Sequence, residues 1–142
     1  MEDFKIITDT TADLPESYIR ENELGIMVVP YIMDGIPQGE ERKMEVKEFY
    51  DRMRGGMMPT TSQINPETAK EYLNGFLEES RQLLVLSFSS GLSGTCGNVS
   101  LAAREIMEER PDCRIVVADT LCASLGEGLL VHKAVQLKKA GK

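Results

Sequence analysis

The chain has 142 residues, and its 42% hydrophobic and 27% charged content is typical of one globular domain. Its formal net charge of -7 argues against nucleic acid as a partner, because neutralising phosphates requires a basic surface. No apolar run approaches the roughly 20 residues that span a bilayer, and the acidic start is unlike a signal peptide. Three spaced cysteines and one histidine favour a reducing cytoplasm and predict no metal site, no cofactor and no Ser-His-Asp triad.

The first half of the chain alternates short apolar runs with helical patterns. Pro15 suits the first turn of a helix. Asp34-Gly35 follows a β-rich run and is a strong hairpin signal. The predicted elements are strands at 4–7, 26–33 and 36–40, a short helix after Pro15, and an amphipathic helix over 45–54.

Helical and strand patterns alternate more regularly in the second half. Asn65-Pro66 is a good helix start, with Asn65 as the cap. Two continuous apolar runs are expected of strands that are covered on both faces. The predicted elements are strands at 83–88 and 114–118 and helices from Asn65, over 94–110 and over about 124–139, the last with Leu130, Ala134 and Leu137 as its buried stripe.

Strands that alternate with helices predict an α/β fold. We expect residues 1–142 to form one three-layer domain around a mostly parallel sheet, with a small β-hairpin extension. In open α/β sheets, ligands bind at the edge where the carboxyl ends of the strands meet. Polar segments that follow strands are therefore expected to gather there. These segments include Asp9-Thr10, Asp119-Thr120 and two hydroxyl-rich turns.

The two hydroxyl-rich turns carry the strongest functional signal. They are residues 59–63, Pro-Thr-Thr-Ser-Gln, and residues 89–95, Ser-Ser-Gly-Leu-Ser-Gly-Thr. Each precedes a helical pattern, so hydroxyls would lie beside free backbone N–H groups and could hold a phosphate or a carboxylate. Neither turn is a dinucleotide fingerprint or a Walker loop. Each could instead be an ordinary helix cap, since Ser and Thr are common capping residues.

Other roles for the polar residues remain open at this point. Asp9 and Asp119 are expected to brace loop amides rather than bind a ligand. One alternative makes Ser93 the nucleophile of a hydrolase or acyl-transfer enzyme, which would need an adjacent base. His132 is a poor base because it lies among apolar helix residues, and no Gly-x-Ser-x-Gly motif occurs. A phosphate or nucleotide site is a third interpretation.

Four ordered motifs resemble those of the DegV family, and the resemblance runs the length of the chain. Residues 9–15, Asp-Thr-Thr-Ala-Asp-Leu-Pro, resemble the family's opening Asp-Ser-Thr-x-Asp-Leu. Thr61-Ser62-Gln63 and residues 89–95 resemble its two signature motifs. The fourth motif is Asp119-Thr120 with Gly126 and Gly128. The sequence departs from the family's pattern at Ile64, where Pro is usual, and at Cys96, where an aromatic residue is usual.

The resemblance implies a bacterial, non-catalytic fatty-acid-binding protein, in some members the acyl-carrying subunit of a fatty acid kinase. There a separate kinase subunit uses ATP to phosphorylate the bound acid. The family's carboxylate-holding Thr and Ser map onto Thr61 and Ser93, and Ser62, Gly94 and Thr95 complete the expected ligand-binding set.

The resemblance also implies that this chain corresponds to the family's N-terminal domain alone. Family members carry a second domain that encloses much of the acyl chain. We therefore expect this chain to bind a long-chain fatty acid such as palmitate only weakly. Apolar surface that the second domain would cover is expected to promote self-association.

Overall fold

The computed structural model of the protein describes residues 4–39 and 44–142. In chain order, the strands are β1 (Lys5–Asp9), β2 (Gly25–Met27), β3 (Tyr31–Met33), β4 (Ile36–Gln38), β5 (Thr60–Thr61), β6 (Gln82–Ser87) and β7 (Arg114–Asp119). The helices are α1 (Glu16–Glu21), α2 (Val46–Arg54), α3 (Pro66–Leu77), α4 (Thr95–Glu109) and α5 (Leu125–Lys139), and a 3-10 turn at Thr10–Ala12 directly follows β1.

Four parallel strands form the main sheet, in the order β2-β1-β6-β7. Successive side chains of a strand point to opposite faces, and both faces here are apolar. Ile7 and Val85 join α3 and α4 in one core, whereas Ile6 and Leu86 join α1 and α5 in the other. The predicted three-layer α/β fold is confirmed.

A second, antiparallel sheet has the order β4-β3-β5 and contains the predicted hairpin. Asp34 and Gly35 both have positive φ, 55° and 71°, as a two-residue hairpin turn of type I′ requires. The returning strand ends at Gln38, and position 40 of the predicted strand lies outside the described residues. The hairpin extension is confirmed, with β5 as a third strand that the sequence did not reveal.

The prediction of one strand over 26–33 is wrong, because the chain changes sheets between β2 and β3. The Val28 amide donates to the Tyr72 hydroxyl at 3.2 Å, and the Val29 amide donates to Thr10 Oγ1 at 3.0 Å. Pro30, which has no amide hydrogen, follows directly. These three residues therefore leave strand pairing, although each has an apolar side chain that suits a strand.

The predicted stripe of α5 is wrong for two of its three residues, since only Ala134 packs against the core. Leu130 and Leu137 are each 39% exposed, whereas the buried residues are Glu127, Gly128, Val131 and Val135. The helix is rotated because two contacts with the β1 end fix its first turns. Glu127 is hydrogen-bonded to two threonines there, and Gly128 lies against the Ala12 carbonyl. Polar contacts thus override the apolar periodicity.

The remaining helices agree with the sequence patterns. Asn65 Oδ1 accepts a hydrogen bond from the Thr68 amide at 2.8 Å, and Pro66 is the first residue of α3. The cap predicted at Asn65 is therefore confirmed. Helix α2 lies where predicted but buries none of its side chains. Phe49 of α2 makes an edge-on ring contact with Tyr31 of the small sheet.

Gly75→Ala is expected to raise the free energy of unfolding by about 1 kcal/mol, because Ala is the better helix former. Gly75 is exposed on α3, and an added Cβ would meet no atom within 4 Å. Gly25→Ala is the contrasting variant, since its Cβ would lie 2.9 Å from Ile7 Cγ1 and 3.0 Å from the Phe76 ring. Urea denaturation of both variants measures the difference. Equal stabilities would contradict the packing described here.

Candidate ligand-binding site

The two hydroxyl-rich turns meet beside the carboxyl edge of the main sheet, as the topology predicts. Gln63 lies over Gly94, so that a Cβ at Gly94 would be only 2.1 Å from Gln63 Oε1. The Ile64 amide donates to Thr95 Oγ1 at 3.2 Å, and Asn98 Nδ2 donates to the Ile64 carbonyl at 2.8 Å. One side-chain contact joins the turns directly, and two hydrogen bonds of the Ile64 backbone join the end of the first turn to the start of α4.

The first turn is attached to the small sheet. Thr61 lies opposite Tyr31 in the antiparallel β3–β5 pair, and the Ser62 amide donates to the Pro30 carbonyl at 3.1 Å. The side chains of Thr61 and Ser62 are exposed. Pairing thus fixes the backbone of these residues while their hydroxyls remain accessible.

The second turn ends in a pair of hydroxyls at the start of α4. Ser93 Oγ accepts a hydrogen bond from the Thr95 amide at 3.1 Å, and the two hydroxyl oxygens lie 3.0 Å apart. Thr95 is 1% exposed, and its oxygen already accepts from the Ile64 amide. A hydroxyl can rotate to suit its partners, so Thr95 can donate to Ser93 and leave the Ser93 hydrogen for a ligand. Ser93 therefore satisfies the first amide of α4, although the cap residue of that helix is Gly94.

The loop after β6 is tied to the loop after β7. The Ser89 amide donates to the Cys122 carbonyl at 3.0 Å. Asp119 Oδ1 accepts from the amides of Ser90 and Leu121, each at 3.1 Å. Hydrogen bonds from the Ser90 hydroxyl and from these amides lower the Asp119 pKa below its usual value. The expectation that Asp119 braces loop amides is confirmed.

Asp9 braces the same edge from β1. Its Oδ1 accepts from the Thr11 amide at 2.9 Å and its Oδ2 from the Phe88 amide at 3.3 Å, which confirms the bracing role. The carboxyl is almost fully buried, and this burial raises its pKa despite the hydrogen bonds that stabilise the ionised form.

Glu127 is a buried carboxyl that sequence reasoning missed. It is 0% exposed and hydrogen-bonds with the hydroxyls of Thr8 and Thr11, each at 3.0 Å. Burial and then the nearby Asp9 charge raise its pKa to about 7. The available signal was an acidic residue between Gly126 and Gly128, where small neighbours allow α5 to approach another element closely.

Unusual backbone conformations also occur in these loops. Asp13, Leu121 and Ser124 are non-glycine residues with φ of 51° or 52°. Ser124 combines this φ with a ψ of -137°, and its hydroxyl donates to Asp13 Oδ2 at 2.6 Å. Such conformations each cost about 1–3 kcal/mol and often occur at functional sites, because the surrounding structure must hold them in place.

The nucleophile alternative for Ser93 is not supported. His132 Nδ1 is hydrogen-bonded to the Tyr18 hydroxyl at 2.8 Å, whereas Ser93 Oγ is hydrogen-bonded to Thr95. Across residues 4–39 and 44–142, no group of three or more His, Cys, Asp or Glu residues is arranged to hold a metal. In the same ranges, none of the helices combines the length and apolar character needed to cross a bilayer.

Comparison with known proteins identifies relatives over essentially the whole chain. Residues 3–142 match the family model described as "Uncharacterised protein, DegV family". A DegV domain-containing protein of Clostridium perfringens is 38% identical, and the match covers 100% of this chain and 50% of that protein.

Two solved structures have the same fold and recognisable sequence identity. One is described as fatty acid binding of a DegV family protein from Thermus thermophilus, with 34% identity, a TM-score of 0.81 and coverage of 100% of this chain and 49% of that one. The other, a DegV lipid binding protein of Thermotoga maritima, has 33% identity, a TM-score of 0.80 and coverage of 100% and 50%. This chain spans about half the length of these relatives. The chain belongs to the DegV family.

Proposed function

We propose that the protein binds a long-chain fatty acid and holds its carboxylate with the hydroxyls of Thr61 and Ser93. The observation that carries this proposal is the direct contact between the two hydroxyl turns, through Gln63 over Gly94 and the Ile64–Thr95 hydrogen bond. Fatty-acid and lipid binding by the relatives from Thermus and Thermotoga supports the ligand class.

The other predicted residues contribute in different ways. Ser62 offers a second exposed hydroxyl in the first turn. Gly94 leaves room for Gln63 and for the start of α4, whose first amides lack acceptors within the helix and favour an anion. Thr95 acts through Ser93, because its own hydroxyl is buried. Thr95 is therefore a positioning residue rather than a direct ligand contact.

The magnitudes indicate a division of labour between the head group and the tail. Hydrogen bonds to a charged carboxylate contribute roughly 1.5–3 kcal/mol each. Each buried methylene of the acyl chain contributes about 0.8 kcal/mol, so a long tail supplies most of the affinity once it is enclosed. This chain provides the carboxylate end of the site and is expected to bind the acid weakly by itself.

A non-catalytic carrier fits these features best. The bound carboxylate would be presented to a separate kinase subunit, where its oxygen accepts the terminal phosphoryl group of ATP and yields an acyl phosphate and ADP. A cytoplasmic location is part of the proposal, and the three unpaired cysteines agree with a reducing compartment.

Combining Thr61→Ala with Ser93→Ala is expected to weaken binding of a radiolabelled long-chain acid at least tenfold, about 1.4 kcal/mol, because the carboxylate loses both hydroxyl donors. Equilibrium binding to this chain measures the effect. Thr60→Ala is the matched control, since Thr60 precedes Thr61 in β5 and its side chain points to the opposite face. Unchanged affinity in the folded double variant would remove both hydroxyls from the site.

The isolated chain is expected to self-associate through four leucines on the loops after β6 and β7 and on the start of α5. These side chains are between 64% and 74% exposed: Leu92, Leu121, Leu125 and Leu129. Apolar surface of this kind promotes association. Sedimentation should show a concentration-dependent increase in mass, which Leu121→Glu with Leu129→Glu abolishes. A concentration-independent monomer would contradict this expectation.

A further inference from the structure

A continuous series of hydrogen bonds runs from the buried Glu127, through the half-buried Thr11 and the buried Asp9, to the loop that carries Ser93. Glu127 Oε1 accepts from the Thr8 hydroxyl at 3.0 Å, and Glu127 Oε2 lies 3.0 Å from Thr11 Oγ1. Thr11 Oγ1 is also hydrogen-bonded to Asp9 Oδ1. Asp9 Oδ2 in turn accepts from the amide of Phe88, the residue that follows β6.

If Asp9 and Glu127 were both ionised, there would be too few hydrogens to form all of these hydrogen bonds. A threonine hydroxyl carries one hydrogen, and a carboxylate carries none. Thr11 Oγ1 lies within hydrogen-bonding distance of one oxygen from each carboxyl, so its single hydrogen can serve only one of them. The other contact would place two oxygens together without a hydrogen. One additional proton on either carboxyl completes both hydrogen bonds.

The donors around each carboxyl decide which one holds the proton. Asp9 accepts from two backbone amides, of Thr11 and of Phe88, which favour its ionised form. Among the described residues, Glu127 hydrogen-bonds with hydroxyls only, those of Thr8 and Thr11. A proton on Glu127 Oε2 can donate to Thr11 Oγ1, whose own hydrogen then donates to Asp9 Oδ1.

The surroundings of Glu127 also favour the protonated form. The charged groups that act on it within the described residues are the carboxyls of Asp9 and Asp13, and both raise the Glu127 pKa. The neighbouring Gly128 packs against Leu14, an apolar side chain. With burial as the largest cause, these contacts hold the pKa near 7, far above that of an exposed glutamate.

We propose that Asp9, Thr11 and Glu127 share one proton held on Glu127, and that this bridge positions the 88–94 loop through the Phe88 amide. Loss of the proton leaves two buried anions beside one hydroxyl, and Thr11 can then serve only one of them. The hydrogen bond from the Phe88 amide to Asp9 Oδ2 then changes as well. The effect on ligand binding rests on the proposed function, whereas the shared proton does not.

NMR titration of carboxyl-labelled protein, without fatty acid, tests the bridge directly. The Glu127 carboxyl should titrate with a midpoint near 7, and the Phe88 and Ser90 amide signals should shift with the same midpoint. In Thr11→Val, which removes the hydroxyl, the amide signals should no longer follow Glu127, whereas Thr11→Ser should restore the coupling. A Glu127 midpoint near that of an exposed glutamate, or wild-type amides that ignore it, would overturn the proposal.

Binding of the labelled acid provides the second readout. Wild-type affinity should fall severalfold as Glu127 loses its proton, whereas Glu127→Gln should retain the low-pH affinity throughout, because its amide can donate to Thr11. Equal pH profiles in the two proteins would refute the positioning role. If the NMR coupling is present but neither protein binds the acid, the bridge stands and the proposed ligand is wrong.

Discussion

The free energy of unfolding is expected to fall by about 3 kcal/mol between about pH 5 and about pH 8 through Glu127 alone. The folded-state pKa is raised to about 7 from the ordinary 4.5. Between these values, folded Glu127 keeps a proton that the unfolded chain releases. The folded state therefore binds more protons, and its stability falls as the pH rises through this window. Burial of Asp9, whose pKa is also raised, acts in the same direction.

Glu127→Gln isolates this contribution from all other titrating groups. Glutamine can accept from Thr8 and donate to Thr11 without carrying a charge, so it imitates protonated Glu127. The variant should match the wild type at the acidic end and exceed it by up to about 3 kcal/mol at the basic end. Denaturant unfolding at both pH values measures the difference. Glu71→Gln is the control, because Glu71 is exposed on α3, and it should leave the wild-type pH dependence of stability unchanged. If Glu127→Gln also showed the wild-type pH dependence, Glu127 would not hold a buried proton.

Gly128→Ala is expected to destabilise the protein by about 1–3 kcal/mol, even though alanine favours helices. Its Cβ would lie 2.8 Å from the Ala12 carbonyl oxygen and 3.1 Å from Leu14 Cδ2. A backbone carbonyl cannot rotate aside as a side chain can, so α5 and the Thr10–Ala12 turn must separate. The hydrogen bond between Thr11 and Glu127 would lengthen with them.

Gly126→Ala is the matched control, because Gly126 lies on the same helix only two residues earlier. Its Cβ would meet Cys122 Cβ at 3.4 Å, an ordinary contact, so the change should be neutral or stabilising by up to about 1 kcal/mol. Thermal or denaturant unfolding separates the two variants. Similar stabilities would show that α5 does not need the close approach at Gly128.

The sequence predicted those parts of the fold that depend on local signals. The Asp34-Gly35 hairpin, the Asn65 cap and the strands β6 and β7 each follow from the chemistry of neighbouring residues. The expectation that both strands are covered on both faces is wrong for β7, because it lies at the edge of the sheet and its Val116 is 44% exposed. The position of the second hydroxyl turn, after β6, followed from topology, since parallel strands place their carboxyl ends at one edge. The first turn lies beside it for a different reason, because its residues Thr60–Thr61 pair with β3 of the small sheet.

Features that depend on distant partners could not be predicted in this way. The amides of Val28 and Val29 bond to Tyr72 and Thr10, so tertiary contacts end a run that looks continuous in the sequence. The two-residue strand β5 exists only because β3 lies beside it.

Helix α5 is a clearer example of a feature that depends on distant partners and could not be predicted from the sequence. Periodicity placed Leu130 in the core, but the hydrogen bonds that Glu127 makes with Thr8 and Thr11 draw a carboxyl inward and leave Leu130 partly exposed. Hydropathy alone assigns a glutamate to the surface. The partners that justify its burial are more than 110 positions away in the chain, so no local window contains them.

Thr61 and Ser93 belong to different structural units, because Thr61 lies on the small sheet and Ser93 precedes α4 on the main sheet. A carboxylate held by both would act as a noncovalent cross-link between them. Short strands in small sheets open at low free energy, and a ligand that binds only the closed form suppresses such opening. The backbone amides of β3 would then exchange with solvent more slowly when the head-group site is occupied, so that the hairpin reports on ligand occupancy.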